Sequence, residues 1–311
     1  MIRSGAIVIT GATGWIGRTL LEYLAQILST LEFNQRVRAF GSQSGQLTLS
    51  KHVRLAVLPL TLLPEFARQE PIHSLFHAAF LTPDRASGLG LDRYCEINQA
   101  ITSCICDALR FRPTARAVLF SSGAAQLAAA TFPQSVDQSP LQSYGSLKLQ
   151  EEIALAALVP TLVLRIYGLT GRFMREPRRY ALGDFLCCAY RKEAIQIRST
   201  RREIRGYVAA FDLSALAWKW SQSFDEAPKT PLDAVDETID LLSLAEIIAS
   251  IYHLPAVRSS IDLDLPPNVY SASSAGFLAF FNRYGHVQMS REQQIRDTYE
   301  GISALLSCQD Q

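Results

Sequence analysis

The stretch Ala6-Ile7-Val8-Ile9-Thr10-Gly11-Ala12-Thr13-Gly14-Trp15-Ile16-Gly17-Arg18 decides how the rest of the chain is read. A short apolar run ending in Thr-Gly, followed by an amphipathic segment from Trp15 through Leu28, is the pattern of a strand, a tight turn and a helix. Gly11 allows the sharp turn, Gly14 lets the backbone approach a ligand with no Cβ in the way, and Gly17 lets the helix pack closely on the strand. The helix start then offers uncommitted N–H groups and the positive end of its dipole, the arrangement that receives a pyrophosphate. Thr13, Trp15, Ile16 and Arg18 flank that site. The string follows the first strand and opens a helix, which favours a dinucleotide site over a mere connection. Its spacing, G-x-x-G-x-x-G, departs from the commoner G-x-G-x-x-G.

Further along, Tyr144-Gly145-Ser146-Leu147-Lys148 puts a phenol and an ammonium four residues apart, on one face of a helix expected over Tyr144–Leu158 and stopped by Pro160. A phenol with a pKa near ~10 is a poor base at neutral pH. A lysine one turn away, together with the positive charge of an oxidised nicotinamide, favours the phenolate and makes Tyr144 a usable acid/base. Between the two motifs, Ala117-Val118-Leu119-Phe120 reads as a buried parallel strand, with Ser121, Ser122, Gly123 and Ala124 at its carboxyl end. Open α/β sheets bind their ligands at such ends. A serine there would donate to a substrate oxygen while Tyr144 moves the proton.

On these residues the chain resembles the extended short-chain dehydrogenase/reductases, specifically the NAD-dependent epimerase/dehydratase family that modifies nucleotide sugars. The resemblance implies a Rossmann-type α/β fold, a doubly wound parallel sheet with a smaller C-terminal substrate lobe. It favours Ser122 as the catalytic hydroxyl over Ser121, a shifted alignment with Gly123 at that position being the alternative. It also implies that Phe76-His77-Ala78-Ala79 flanks the nicotinamide, with His77, Ala78, Ala79, Asn98, Ser121 and Tyr167 joining Tyr144 and Lys148 around the cofactor. Leu81, Ser122, Gly123, Ala124, Tyr144 and Arg205 would meet the substrate, Arg205 on its diphosphate. Relatives often dimerise through the helices that correspond here to Leu91–Arg110 and Tyr144–Leu158, so a homodimer is expected. There are departures. Gln126-Leu127 stand where relatives have Tyr-Gly, Ser199-Thr200-Arg201 replaces a Gly-Asp-Gly turn, and the acid found near the adenine is missing around Leu60-Thr61.

NAD-binding relatives commonly end their second strand in a carboxylate for the ribose hydroxyls. Here Val37–Phe40 runs into Gly41-Ser42-Gln43. With no acid, Ser42 at the ribose and Arg18 and Arg38 nearby, the expectation leans to NADP, with NAD as the alternative. The leading reaction is reduction of a keto-sugar carried on a nucleotide diphosphate. An epimerase retaining NAD would use the same residues, and a dinucleotide-sensing protein on the same fold is the non-enzymatic reading. A 4,6-dehydratase needs an acid/base pair after the catalytic hydroxyl, which Gly123-Ala124-Ala125 cannot supply.

The 311 residues, 48% hydrophobic and with a net charge of +1, suit an enzyme with a full core and exert no general attraction for nucleic acid or membrane. Apolar runs are short and broken by proline, so no membrane span is expected, and the N-terminus lacks a signal-peptide pattern. Six cysteines without metal-ligand spacing read as core thiols of a cytoplasmic protein, with no metal site. The expected division is a dinucleotide-binding domain over 1–170, with 206–240 returning to it, and a substrate lobe from 171–205 and 241–311. Arg172–Arg205 holds ten basic residues against four acidic ones, a segment suited to an anionic ligand. Specificity is assigned to the loops Leu81–Leu91, Ala128–Gln142 and Gly171–Ala181.

Overall fold

The computed structural model describes residues 5–50, 53–113, 115–131 and 139–309. Part of the specificity segment Ala128–Gln142, residues 132–138, lies outside them.

β1 (Ala6–Thr10) passes through the glycine turn into α1 (Trp15–Ile27), and α2 (Thr30–Arg36) leads to β2 (Val37–Gly41). β3 (Gly45–Thr48) and β4 (Arg54–Pro59) form an antiparallel hairpin. There follow α3 (Leu63–Gln69), β5 (Ile72–His77), α4 (Ala86–Leu89), α5 (Leu91–Arg110), β6 (Arg116–Ser122), α6 (Gly123–Thr131), α7 (Pro140–Ala156) and β7 (Thr161–Ile166). The chain continues through β8 (Leu169–Thr170), α8 (Ala181–Arg191), β9 (Glu203–Ala209), α9 (Ala210–Gln222), β10 (Leu232–Ala234), β11 (Glu237–Asp240), α10 (Leu241–Tyr252), β12 (Asn268–Tyr270), α11 (Ala275–Asn282) and α12 (Arg291–Gln309). α7 starts a turn earlier than the Tyr144 boundary expected from sequence, because Ser139 caps it, accepting from the Gln142 N–H at 3.3 Å, and Pro140 occupies its first turn.

The chain divides into two compact units. The first, residues up to Arg165 with Ser214–Leu232, holds the main sheet, ordered β3-β4-β2-β1-β5-β6-β7-β10, in which β10 is the strand where the chain leaves this unit. β4, β2, β1, β5 and β6 pair in parallel. The chain builds outward from β1 to β2 and β4, then returns to β1's other side as β5, so the strand order reverses between β1 and β5. Ligand crevices of doubly wound sheets open at that reversal. The last register pair there is Thr10 with His77. Ile7, Val8 and Ile9 of β1 and Ala117, Val118 and Leu119 of β6 are wholly buried, as strands covered on both faces must be. The β3 hairpin was not anticipated, because its exposed residues carry no apolar alternation.

The second unit, Ile166–Leu213 and Asp233–Gln311, is organised on β9, which pairs antiparallel with β11 and parallel with β12 and β8. The expected return of 206–240 to the first unit is thus narrower, only Ser214–Leu232. The hydrogen bonds of β9 go to β11, β12 and β8, and they hold 206–213 and 233–240 in the second unit. No helix among the described residues is long and apolar enough to cross a membrane. All six cysteines are free. No group of residues suited to holding a metal ion occurs among the described residues.

Candidate active site

The glycine turn is built for close approach. Gly11 sits at φ +67, and a Cβ on it would lie 2.5 Å from the carbonyl of Ala78 at the end of β5. The Gly14 N–H donates to the Gly11 carbonyl at 2.8 Å, and Gly14 is the N-cap of α1. No side chain caps this helix and no acidic residue lies in its first turn. Its N-terminal N–H groups and positive dipole end are therefore suited to an anion, and the residues present fit a dinucleotide pyrophosphate.

At the far side of the sheet reversal, the Tyr144 hydroxyl is hydrogen-bonded to Ser122. Burial raises the phenol's pKa, the Ser122 hydrogen bond lowers it, and the Glu151 carboxylate raises it again, for a net increase. Ser121 is turned elsewhere. Its buried hydroxyl donates at 2.5 Å to Glu152, which also accepts a two-pronged contact from Arg165 at 2.7 and 3.0 Å. Of the two serines, then, Ser122 meets Tyr144. The Gly145 position brings α7 against α6, for a Cβ there would lie 2.5 Å from the Ala124 carbonyl oxygen.

Lys148 is almost wholly buried. Its Nζ donates to the Phe120 carbonyl at 3.2 Å and to Glu151 Oε2 at 2.8 Å, and lies 4.0 Å from the centre of the Phe80 ring. That ring meets Tyr144 edge to face at 5.6 Å, so Phe80 lies against both halves of the Tyr-Lys pair. The other oxygen of Glu151 is 2.8 Å from His77 Nε2, and His77 Nδ1 is 2.6 Å from the Thr10 hydroxyl. Burial alone would raise the Glu151 pKa. The Lys148 and His77 charges and hydrogen bonds prevail and bring it down to about 2.

The other residues expected at the site have the following environments. The His77 ring, expected beside the cofactor, is wholly buried, with Thr10 on one nitrogen and Glu151 on the other. Asn98, buried on α5, accepts from the Leu81 N–H at 2.8 Å and donates to the Leu81 carbonyl at 3.3 Å, so both ends of its amide hold the backbone that follows β5. Ala78 and Ala79 are half-buried and Ser42 is exposed. Arg38 donates to the carbonyls of Asn34, Gln35 and Val37 at 3.1, 2.8 and 2.9 Å, its guanidinium closing the end of α2. Arg18 donates to Glu22 at 2.9 Å and to the Thr48 carbonyl.

In the second unit, the Tyr167 hydroxyl donates to Asp233 at 3.1 Å. Arg205 is paired with Glu203 and donates to the carbonyls of Ile204 and Asn268 at 3.0 and 2.9 Å. Much of the basic segment is internally matched, Arg172 to Asp297 and Glu300, Arg178 to Asp184, Arg179 to Glu176 and Arg202 to Asp240.

Sequence reasoning missed Phe80, Glu151 and Thr10. Glu151 stands three residues after Lys148, so its place on the same helix face was legible. Its pairing with His77, 74 residues away, was not.

The doubly wound sheet thus carries the glycine turn after β1, Ser122 at the end of β6 and the Tyr144-Lys148 pair on α7. The chain belongs to the NAD dependent epimerase/dehydratase family, whose model matches residues 7–232. No curated protein matches it by sequence. Similar solved structures include a UDP-N-acetylglucosamine 4-epimerase from Methanobrevibacter ruminantium M1 in complex with UDP-N-acetylmuramic acid, at 16% identity and TM-score 0.74 over 97% of this chain and 99% of that one. A UDP-glucuronic acid 4-epimerase from Bacillus cereus, in complex with a UDP-sugar analogue and NAD, aligns at 16% identity and TM-score 0.71 over 96% and 99% of the two chains. MoeE5 in complex with UDP-glucose and NAD aligns at 18% identity and TM-score 0.70 over 97% and 100%.

Proposed function

We propose that this chain is an NAD(P)-dependent enzyme that moves hydride at a hydroxyl-bearing carbon of a nucleotide-diphosphate sugar, with Tyr144 as the acid/base. The observation that carries the reading is the Tyr144–Ser122 hydrogen bond, with Lys148 one helical turn away at the carboxyl end of β6. Ser122 donates to the sugar oxygen, and Tyr144 takes its proton on oxidation and returns one on reduction. Lys148 adds positive charge beside the phenol, offset in part by Glu151. When bound, the nicotinamide supplies the hydride acceptor and donor. Gly11, Gly14, Gly17 and the start of α1 hold its pyrophosphate, and Ala78, Ala79 and Phe80 border the reacting end. Arg205 is the residue we assign to the substrate diphosphate.

The dinucleotide we favour is NAD. The lean to NADP rests on the missing carboxylate together with Arg18 and Arg38, and the guanidiniums of both arginines have partners within the chain. Retained NAD accords with epimerisation, in which hydride leaves the sugar and returns to its other face. The absence of a carboxylate at Gly41-Ser42-Gln43 favours the second reading, a keto-sugar reductase that exchanges NADPH. Mass spectrometry of the dinucleotide released from freshly purified, denatured protein separates them. Stoichiometric NAD supports the epimerase. An empty protein that binds NADPH more tightly than NADH supports the reductase, and one that binds no dinucleotide overturns the enzyme reading.

A further inference from the structure

We propose that Glu151, backed by His77 and Thr10, is a positioning residue of the acid/base site, fixing the Lys148 ammonium and setting the charge that Tyr144 experiences. The proposal rests on the reading of Tyr144 and Lys148 as the acid/base pair. It goes beyond that reading because it makes the lysine one half of a buried ion pair.

Three elements meet in this cluster. Thr10 ends β1 immediately before the glycine turn, His77 ends β5, and Lys148 and Glu151 share one face of α7. Thr10, His77 and Glu151 are all wholly inaccessible to solvent. The contacts run Thr10 to His77 at 2.6 Å, His77 to Glu151 at 2.8 Å and Glu151 to Lys148 at 2.8 Å, so each Glu151 oxygen has a partner. An ammonium has three N–H groups. Glu151 and the Phe120 carbonyl take two of those of Lys148, which fixes the direction left for a third. The same contacts tie α7 to the strand that carries the pyrophosphate turn.

The electrostatic consequence follows from the sign of each charge. By the sign of its charge a lysine ammonium favours a neighbouring phenolate, whereas the ionised Glu151 carboxylate opposes it and raises the Tyr144 pKa. Facing the Glu151 carboxylate are Lys148 and Tyr144 on α7, His77 on β5 and the Cys106 thiol on α5. Tyr94 on α5 also faces Tyr144, and the neighbouring Glu152 is engaged by Arg165 and Ser121. Glu151 is the carboxylate of this set that acts on both members of the Tyr-Lys pair.

The test is a 19F NMR titration of full-length protein labelled with 3-fluorotyrosine, whose phenols ionise at lower pH than those of tyrosine. The Tyr144 resonance is assigned by its loss in Tyr144→Phe. Glu151→Gln keeps the shape and both contacts while removing the charge. The expected result is a Tyr144 midpoint lowered by ~0.5–1 unit in Glu151→Gln. Superimposable titrations would overturn the proposal, because a merely structural Glu151 shifts unfolding and leaves the phenol alone. Should Glu151→Gln not fold, the wild-type protein decides. The chain has five lysines, and a hydrogen-bonded, buried ammonium gives a slowly exchanging 15N–H resonance at neutral pH, assigned by its loss in Lys148→Arg. Its presence supports the clamp and its absence overturns it. NAD binding, measured on the same samples by calorimetry, is independent. Its failure would refute the functional reading and leave the titration result standing.

Discussion

Replacing Lys148 by methionine should destabilise the protein. An acid/base lysine at the edge of an open cleft is usually dispensable for folding, but this one neutralises a carboxylate that has no access to water. At the 2.8 Å separation of Nζ and Oε2, with an effective dielectric of ~20, the Coulomb attraction is about 6 kcal/mol. The cost of desolvating both ions offsets much of this in the intact pair. Removing one partner exposes the penalty of the other, typically ~3–5 kcal/mol. His77 remains beside Glu151 at 2.8 Å, so we place the loss at the lower end, about 3 kcal/mol. For a unit of this size that is a fall in Tm on the order of 6–12 °C. The deficit should also depend on pH. Wild-type Glu151, its pKa held below the unfolded value, contributes stability above the ordinary carboxylate range that is lost toward about pH 2. In Lys148→Met the burial effect dominates and the folded pKa rises above the unfolded one, so the deficit is full at pH 8 and shrinks on acidification. Lys148→Met/Glu151→Gln should recover most of the loss. Thermal unfolding of the three proteins at pH 8 and pH 5 provides the assay. A Lys148→Met protein as stable as wild type at pH 8 would refute the reasoning, as would a double variant no better than the single one.

Tyr144→Phe should abolish turnover of a nucleotide sugar while leaving dinucleotide binding within about twofold, since in the proposed mechanism the phenol moves a proton and contributes little to holding the pyrophosphate; activity of the variant under saturating substrate is the check. Gly145→Ala should lower both stability and turnover. The new Cβ meets the Ala124 carbonyl at 2.5 Å, an overpacking cost of ~1–3 kcal/mol that the ~1 kcal/mol gain in helix propensity only partly offsets, and Tm together with the Tyr144 titration reads both effects. Burial, a Gln294 hydrogen bond that opposes it and the nearby Asp212 together push the Asp236 pKa up to about 7. Its folded pKa lies above the unfolded one, so this group lowers stability as pH rises from about 4 to 7. Asp236→Asn should be ~1–2 kcal/mol more stable than wild type at pH 8 and indistinguishable at pH 4, a figure discounted from the full shift for partial exposure. Equal Tm differences at both pH values would dismiss that assignment.

The sequence by itself determined whatever depends on spacing along one element. Gly11, Gly14 and Gly17 announce a strand-turn-helix because each meets a steric demand of its own turn. Tyr144 and Lys148 announce a shared face because a helix repeats every 3.6 residues. Ser121 and Ser122 follow from their place at the end of an apolar strand, and the preference for Ser122 comes from the family resemblance. Tertiary structure alone decided where long side chains spend their charges. Arg38 reads as a cation near the cofactor, yet three carbonyls at the end of α2 take its donors. Arg205 reads as a diphosphate grip and is matched to Glu203. His77 reads as a cofactor neighbour, and both of its ring nitrogens are engaged within the chain, by Thr10 and Glu151. The membership of β9 in the second unit likewise follows from its pairing with β11, β12 and β8, for an apolar strand pattern does not name its neighbour. Local periodicity fixes which face a residue occupies, while partners 74 residues apart meet only once the sheet has ordered its strands.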